Sequence, residues 1–506
     1  MSAAAERRLA VIDLGSNSFR LVVFGWVPHE WWKRTDEIYE PVRVGEGLEA
    51  AGALQEEPME RALETLELYA HFCRATEIRE VRPVATSAIR EAANRAEFLV
   101  RARERSGLEV RVLSREEEAR YGYLAAVNST TLADGVALDL GGGSLQLTRV
   151  QGRLATESRS WALGAVRMTE RFLPGERAKP KQLKALRAHV AEELAAAPWL
   201  RRGGGLVGVG GTVRNLAAAA ELAADLPSFG VQGFCVRRKA LDALIERLAG
   251  LPASQRASVP GIKAGRADLI LAGAVVVQGV MEAGGFEALE ATEAGMREGV
   301  FYETLLEGAD PPLFEDVRRA SVENLAAAYQ ADVTHTRHVA RLALGMWDAL
   351  AAHGVHDGDP IERELLWAAA MLHDIGTAVD YDDHHKHSRY LILNAGLPGF
   401  SPRETALIGQ IARYHRKGLP ALGAFRPLAR DGDEALLARC AAVLRLAEQL
   451  ERPRDQTVLA TRVEVLDGRV DLRLEHDADV TVARWAAQRE AGLFRRAFGR
   501  ELAIRD

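Results

Sequence analysis

Two segments of the chain, residues 12–24 (IDLGSNSFRLVVF) and 137–150 (ALDLGGGSLQLTRV), share an arrangement suited to phosphate chemistry. Each is an apolar run ending in Asp (Asp13, Asp139), followed by Leu-Gly, a turn of small residues and a second alternating run. A strand, a glycine-rich turn and a returning strand form a hairpin whose exposed N–H groups can wrap an oxyanion. The glycines Gly15, Gly141, Gly142 and Gly143 supply backbone, and Ser16, Asn17, Ser18 and Ser144 supply side-chain donors. Asp13 and Asp139, at strand ends, are placed to organise Mg²⁺ directly or through water. A single D-x-G turn also marks an ordinary hairpin. Two copies far apart suggest half-sites facing each other across a cleft.

Three further features carry weaker signals. Gly210, Gly211 and Thr212 again end a strand in glycine and a hydroxyl, a third candidate phosphate contact. Arg90 follows a strand and a Thr-Ser turn; its guanidinium suits charge on a transferring phosphoryl group, the plainer alternative being an ion pair with Glu91 or Glu97. Glu116, Glu117 and Glu118 read as the acidic first turn of a helix, favoured there by the helix dipole.

The elements that must position these residues change period along the chain. Residues 9 to about 125 alternate between periods of two and about 3.6: hairpin strands, a helix near 58–76, a strand at 81–85, a second helix and a strand at 109–113. A second round with the same hairpin grammar starts at Gly135 and runs through a helix at 180–196 to about Leu306. The segment EGADPP (307–312) stops a helix and stiffens a linker. Beyond it the chain is nearly all helical to about Glu451, and TRVEVLDGRVDLRLEH then reads as a hairpin turning at Asp467-Gly468, followed by an amphipathic helix. The predicted domains are 1–128, 129–308, 309–456 and 457–506.

At 506 residues the chain is too long for one core. A net charge of −6 argues against a general nucleic-acid binder. Cys73, Cys235 and Cys440 form neither a disulfide framework nor a zinc motif and are expected in the core of a protein in a reducing compartment. No apolar stretch has membrane-spanning length and no leader h-region is evident, so the expected location is cytoplasmic.

The two hairpin loops, together with ATSAIREAANR (85–95), LSREEEARYGYLAAV (113–127), LGAVRMTERF (163–172), VGGTVRNL (209–216), GRADLILAGA (265–274) and MREGVFYE (296–303), resemble the exopolyphosphatase / guanosine pentaphosphate phosphohydrolase (Ppx/GppA) family. The resemblance implies an α/β fold of two actin-like (ribonuclease H-like) lobes with the site between them. It also implies Mg²⁺-dependent hydrolysis of a terminal phosphoanhydride, from inorganic polyphosphate or guanosine pentaphosphate, in a homodimer. Glu118 then matches the family's water-activating base, with Asp13, Asp139 and Glu118 around Mg²⁺. Many members have Glu where this chain has Gln146, which is expected to weaken Mg²⁺ binding or turnover.

The helical region, with MLHDIG and ARYHRKGLP, resembles the HD-type domain of long members, followed by a small α/β appendage. His373-Asp374 closes an apolar helix before Gly376; His335 and Glu448 take the places of the other two expected ligands. This set suits a second divalent metal, or survives as a scaffold only. His384, His387 and His415 add donors for another ion or a phosphate chain. Arg413, His415, Arg416 and Lys417 read as a track for a polyanion or as a solvated helix end. A metal-dependent phosphohydrolase of the helical region and a non-catalytic polyphosphate or alarmone sensor are the competing readings.

Overall fold

The structure, a computed structural model, describes residues 5–505; the first four, part of the stretch read above for a leader, lie outside them. The chain divides at Val317/Arg318 into two compact units.

In the first unit, β1 (Arg7–Leu14), β2 (Phe19–Val27), β3 (Trp31–Glu40), β4 (Glu80–Ala85) and β5 (Arg111–Val112) form a sheet in the order β3-β2-β1-β4-β5. The first three strands are antiparallel neighbours, and β4 and β5 join in parallel. A second sheet holds β6 (Gly135–Leu140), β7 (Leu145–Gln151), β8 (Leu154–Trp161), β9 (Gly205–Val209), β10 (Cys235–Arg237) and β11 (Ala288–Ala291), in the order β10-β11-β9-β6-β7-β8. Strand for strand, β6, β7, β8, β9 and β11 repeat the order and sense of β1 to β5, with β10 added as an antiparallel edge. The unit is thus two mixed α/β lobes of one plan. The strand expected over 109–113 pairs only at Arg111–Val112. Cys73 and Cys440 are buried as expected, but Cys235, on the added edge strand, is exposed.

The central strands are apolar on both faces because helices cover both sides. Leu9 and Val11 of β1, Phe24 of β2 and Ala137 of β6 share one apolar layer between the lobes. Ile12 and Leu14 turn to the outer core of the first lobe, and Leu138 and Leu140 to that of the second. Two helices, Arg115–Ser129 and Met296–Leu305, run through the shared layer. Phe301 stacks on Phe24 with ring centroids 4.3 Å apart and meets Trp26 edge-on at 5.6 Å.

In the second unit the helices Val333–Ala352, Pro360–Leu372, His384–Ala395, Pro402–Arg413 and Asp433–Leu450 precede a sheet of β12 (Val458–Leu466), β13 (Arg469–His476) and β14 (Glu501–Arg505). The hairpin turns at Asp467-Gly468, with Gly468 at φ +70°. Two helices follow, Thr481–Gln488 and Ala491–Phe498, before β14 returns parallel to β13, an element the amphipathic pattern did not reveal. Trp347, Leu366 and Val443 share one core with Val463, Leu472 and Ile504, so the C-terminal sheet completes the helical core and has none of its own.

The two helices of the inter-lobe layer cross at Gly299, where an added Cβ would lie 2.0 Å from the Tyr121 carbonyl oxygen. Backbone cannot yield there as a side chain would. Gly299→Ala is expected to cost about 2 kcal/mol of stability through overpacking, read as a lower urea midpoint with unchanged slope.

Candidate functional site

Period-two alternation explains where the site lies. Asp13 is two residues beyond Val11, and Asp139 two beyond Ala137, so both carboxylates face the layer between the lobes at the ends of their strands. Directly opposite in the two hairpins stand Arg20 and Gln146. The turns that follow meet each other. A Cβ on Gly143 would lie 2.3 Å from Ser87 Oγ and 3.0 Å from Ser16 Oγ, and the two serine hydroxyls are 3.1 Å apart. A cleft opens beside this seam. Gly15, Ser16, Asn17, Ser18, Gly141, Gly142, Gly210 and Gly211 all border it, together with Asp13, Glu118 and Asp139. Asn17 Nδ2 is a buried donor with no hydrogen-bond partner among the described residues.

Ser114 caps the helix Arg115–Ser129 in a capping box with Glu117, which leaves Glu118 to turn inward. Glu118 is 5% exposed, so of the three glutamates it is the one withdrawn from solvent. Arg90 Nη1 donates to its Oε2 (2.8 Å) and to the Leu113 carbonyl (3.0 Å), while Ser144 Oγ donates to its Oε1 (3.2 Å). Arg90 therefore pairs with Glu118, not with Glu91 or Glu97, and stands beside it without bordering the cleft. Ser144 orients Glu118 instead of facing the cleft. Gln146 Nε2 donates to Ser144 Oγ (2.8 Å) and Ser160 Oγ (3.3 Å), which directs the Ser144 proton toward Glu118. Thr212 turns away, its side chain packed against Gly273 in the second lobe.

Arg20, Arg214, Arg266 and Arg297 complete the cleft, and none was anticipated as a site residue. Each lies in a glycine-containing motif (DLGSNSFR, GGTVR, GR, MREG), the one signal that marked them. Arg297 is one helical turn before Phe301, so docking of that aromatic aims it at the first lobe, where its Nη1 donates to Asp13 Oδ2 at 2.9 Å. Arg214 Nη1 donates to the Glu293 carbonyl at 2.7 Å. Burial and the neighbouring Arg297 bring Arg214 down to about 10; burial also lowers Arg20 and Arg266.

The carboxylates are pushed the other way. Burial raises Asp13 against the pull of Arg297, and raises Glu118 against that of Arg90. Asp139 rises to about 7, through burial and the nearby charges of Glu118 and Asp13. The helix Arg115–Ser129 passes it so closely at Gly122 that a Cβ would lie 3.0 Å from Asp139 Oδ2. A carboxylate this poorly compensated fits a divalent cation. The ion-sized groupings of ligand atoms among the described residues lie in the second unit. The wider ring of Asp13, Asp139 and Glu118 suits Mg²⁺, which keeps several of its waters.

In that second unit the helices bring together His335, His373, Asp374, His384, His415 and Glu448, all buried. Glu448 Oε2 lies 3.1 Å from both His335 Nε2 and His373 Nε2, so the extra methylene of Glu still reaches both rings. His415 is an inward-facing member of this cluster, not part of an exposed basic track; burial and the adjacent His373 bring its pKa down to about 3. His387 joins neither grouping. Arg416 lies over the exposed Tyr381 ring at 5.3 Å, and Lys417 pairs with Asp383 at 3.3 Å.

Comparison with known proteins places this geometry. The model of the Ppx/GppA phosphatase family matches residues 35–308, and that of Ppx/GppA phosphatase domain III matches 317–489. A Ppx/GppA family member from Aquifex aeolicus is 28% identical, with a TM-score of 0.52 over 60% of this chain and 100% of its own. An exopolyphosphatase-like protein is 27% identical, with a TM-score of 0.54 over 58% and 96%. An exopolyphosphatase from Cytophaga hutchinsonii shares the fold at 22% identity, with a TM-score of 0.56 over 59% and 98%.

Asp139 must lose its proton to hold a cation. Mg²⁺ affinity is therefore expected to rise about tenfold per pH unit below pH 7, with about one proton released per ion there, and to level off above it, with none released. Calorimetric titration at several pH values, in buffers of different ionisation enthalpy, measures both. Asp139→Asn should abolish the slope.

Proposed function

The chain belongs to the Ppx/GppA phosphatase family, and from that premise we propose that it is an exopolyphosphatase-like hydrolase. Its substrate is the end of an inorganic polyphosphate chain, with guanosine pentaphosphate as the alternative. The observation that carries this reading is the placement of Glu118, a buried carboxylate held from two sides at the edge of an arginine-lined cleft.

A terminal phosphoanhydride needs charge neutralisation, alignment and a positioned water. Arg20, Arg214, Arg266 and Arg297 neutralise and fork onto the phosphate oxygens, and the backbone of Gly15–Ser18, Gly141–Gly142 and Gly210–Gly211 cradles them. Mg²⁺ held by Asp13 and Asp139 would supply further neutralisation of the phosphoryl oxygens. Glu118, its pKa raised by burial, is suited to take a proton from water as the water oxygen bonds to the terminal phosphorus. The bridging P–O bond breaks, and the shortened polyphosphate leaves with the bond electrons. Arg90 and Ser144 act through Glu118 by fixing both of its oxygens. The neutral Gln146 acts through Ser144, a role that needs no metal contact.

For residues 309–456 we retain the HD-type reading, with His335, His373, Asp374 and Glu448 around one divalent ion; the close approach of these groups supports it. The family resemblance supports the homodimer, and the cysteine usage and apolar pattern of the sequence support the cytoplasmic location. No helix among the described residues is long and apolar enough to cross a membrane.

Phosphate release from long-chain polyphosphate and from guanosine pentaphosphate, with Mg²⁺, tests the reading. Glu118→Gln is expected to lower kcat by about 10²–10⁴-fold with little change in KM. Release undiminished in the variant would move the chemistry elsewhere, and tight binding without release by the wild type would favour the sensor.

A further inference from the structure

Two of the cleft arginines, Arg20 and Arg266, come from opposite lobes, and the residues that hold them lie outside the cleft motifs. Arg20 on β2 stands opposite Tyr39 of the edge strand β3. Its guanidinium carbon is 4.9 Å from the centre of the Tyr39 ring, and its Nη1 pairs with Glu37 Oε1 at 2.7 Å. Glu37 and Tyr39 are two residues apart, so alternation puts both on the face that Arg20 uses. A ring against the guanidinium and a carboxylate at its end restrict this long side chain to few conformers.

Arg266 ends the short turn Ala264–Arg266, and its guanidinium lies over the glycine turn of the second lobe. A Cβ on Gly211 would be 2.4 Å from Arg266 Cζ. The second lobe pins this segment at both ends. Asn215 Oδ1 accepts from the Lys263 N–H at 2.8 Å, and the buried Arg256 donates through Nη1 to the Asp268 carbonyl at 3.4 Å. The first lobe adds two contacts of its own. Its residues 43–45 are strapped to the phosphate turn, the Arg43 N–H donating to the Asn17 carbonyl at 3.0 Å and the Gly45 N–H to that of Ser16 at 2.9 Å. From there Arg43 Nη1 donates to Asp268 Oδ2 at 3.0 Å. The other oxygen, Asp268 Oδ1, is buried without a hydrogen-bond partner among the described residues. The Tyr39 hydroxyl meets the same segment at Gly265, where a Cβ would lie 3.4 Å away.

We propose that Glu37, Tyr39, Arg43 and Asp268 are positioning residues for the phosphate chain, a role that rests on the reading of the cleft as its site. Glu37 and the Tyr39 ring aim Arg20. The Arg43–Asp268 pair, with the Tyr39 hydroxyl against Gly265, places the segment that presents Arg266. Tyr39 belongs to both sets, so one side chain sets the span between a guanidinium of each lobe. The Arg43–Asp268 pair is half-exposed at both partners and adds little to the stability of the fold. What it fixes is the distance from the Ser16–Asn17 turn, which cradles phosphate oxygens, to the arginine that neutralises them from the other side. Preset in this way, the two arginines bind the chain with less ordering of their own side chains.

The test is calorimetric titration of inorganic tripolyphosphate into the full chain carrying Glu118→Gln, where no turnover intervenes. Arg43→Gln and Asp268→Asn are each expected to weaken binding about fivefold, the most an ion pair this exposed supports. The two together should weaken it no more than either alone. Added to Arg266→Gln, neither should have a further effect, because both act through that guanidinium. Tyr39→Ala should weaken binding at least as much, and Tyr39→Phe, which keeps the ring against Arg20, should lose less. With Glu118 intact, Arg43→Gln and Asp268→Asn should raise KM by the same factor and leave kcat within about twofold, with urea midpoints equal to the parent's. Affinity unchanged in both variants while Arg266→Gln weakens it would overturn the proposal and leave the cleft reading standing. A full effect of Arg43→Gln in the Arg266→Gln background, or a matching fall in the urea midpoint, would also overturn it. Affinity unchanged in Arg20→Gln and Arg266→Gln alike would overturn the cleft reading, and the proposal with it.

Discussion

Burying several ionised carboxylates in one place is the constraint on which the cleft depends. Each loses hydration worth several kcal/mol and keeps its charge only if a cation replaces the water. Asp13 has Arg297 and Glu118 has Arg90, while Asp139 has no such close partner and rises to about 7. The arginines have the opposite problem, and burial pulls Arg20, Arg214 and Arg266 down. Such a cleft has room for both a divalent cation and a polyanion, since each satisfies the charges left over by the other. The same balance bears on Gln146. Its amide supports Ser144 without adding another negative charge beside Asp139.

The fold brings these charges together from far apart in sequence by giving both lobes one plan. Equivalent strands carry the two aspartates, and alternation turns both toward the layer between the lobes. The two helices in that layer bring Glu118 and Arg297 to it, held in place by the Phe24–Phe301 stack and the close crossing at Gly299. The packing that stabilises the lobes therefore also aligns the charged groups.

What the sequence could reveal was local. The two hairpins, with Asp13, Asp139 and their glycine turns, were readable because strand, turn and residue type lie within about fourteen consecutive positions. The helices of the second unit were readable from their apolar spacing. Arg20, Arg214, Arg266 and Arg297 were not, because an arginine near a glycine is common and only the folded lobes show that four converge. Thr212 misled because the first turn of a helix buries one side as readily as it exposes the other. His415 had two readings, an ion donor and a member of a basic track with Arg413, Arg416 and Lys417; the turn that follows the helix Pro402–Arg413 points the imidazole inward, which leaves the first. The strand Glu501–Arg505 escaped because its partner lies beyond two intervening helices.

If the arginine-lined cleft receives the phosphate chain, its occupancy is measurable without turnover. The most direct measurement is calorimetric binding of inorganic tripolyphosphate to the Glu118→Gln protein, repeated with Arg214→Gln or Arg266→Gln added. One high-affinity site per chain, weakened at least tenfold by either arginine change, is the predicted result. Affinity unchanged by both substitutions would contradict the assignment of the substrate to the cleft between the lobes.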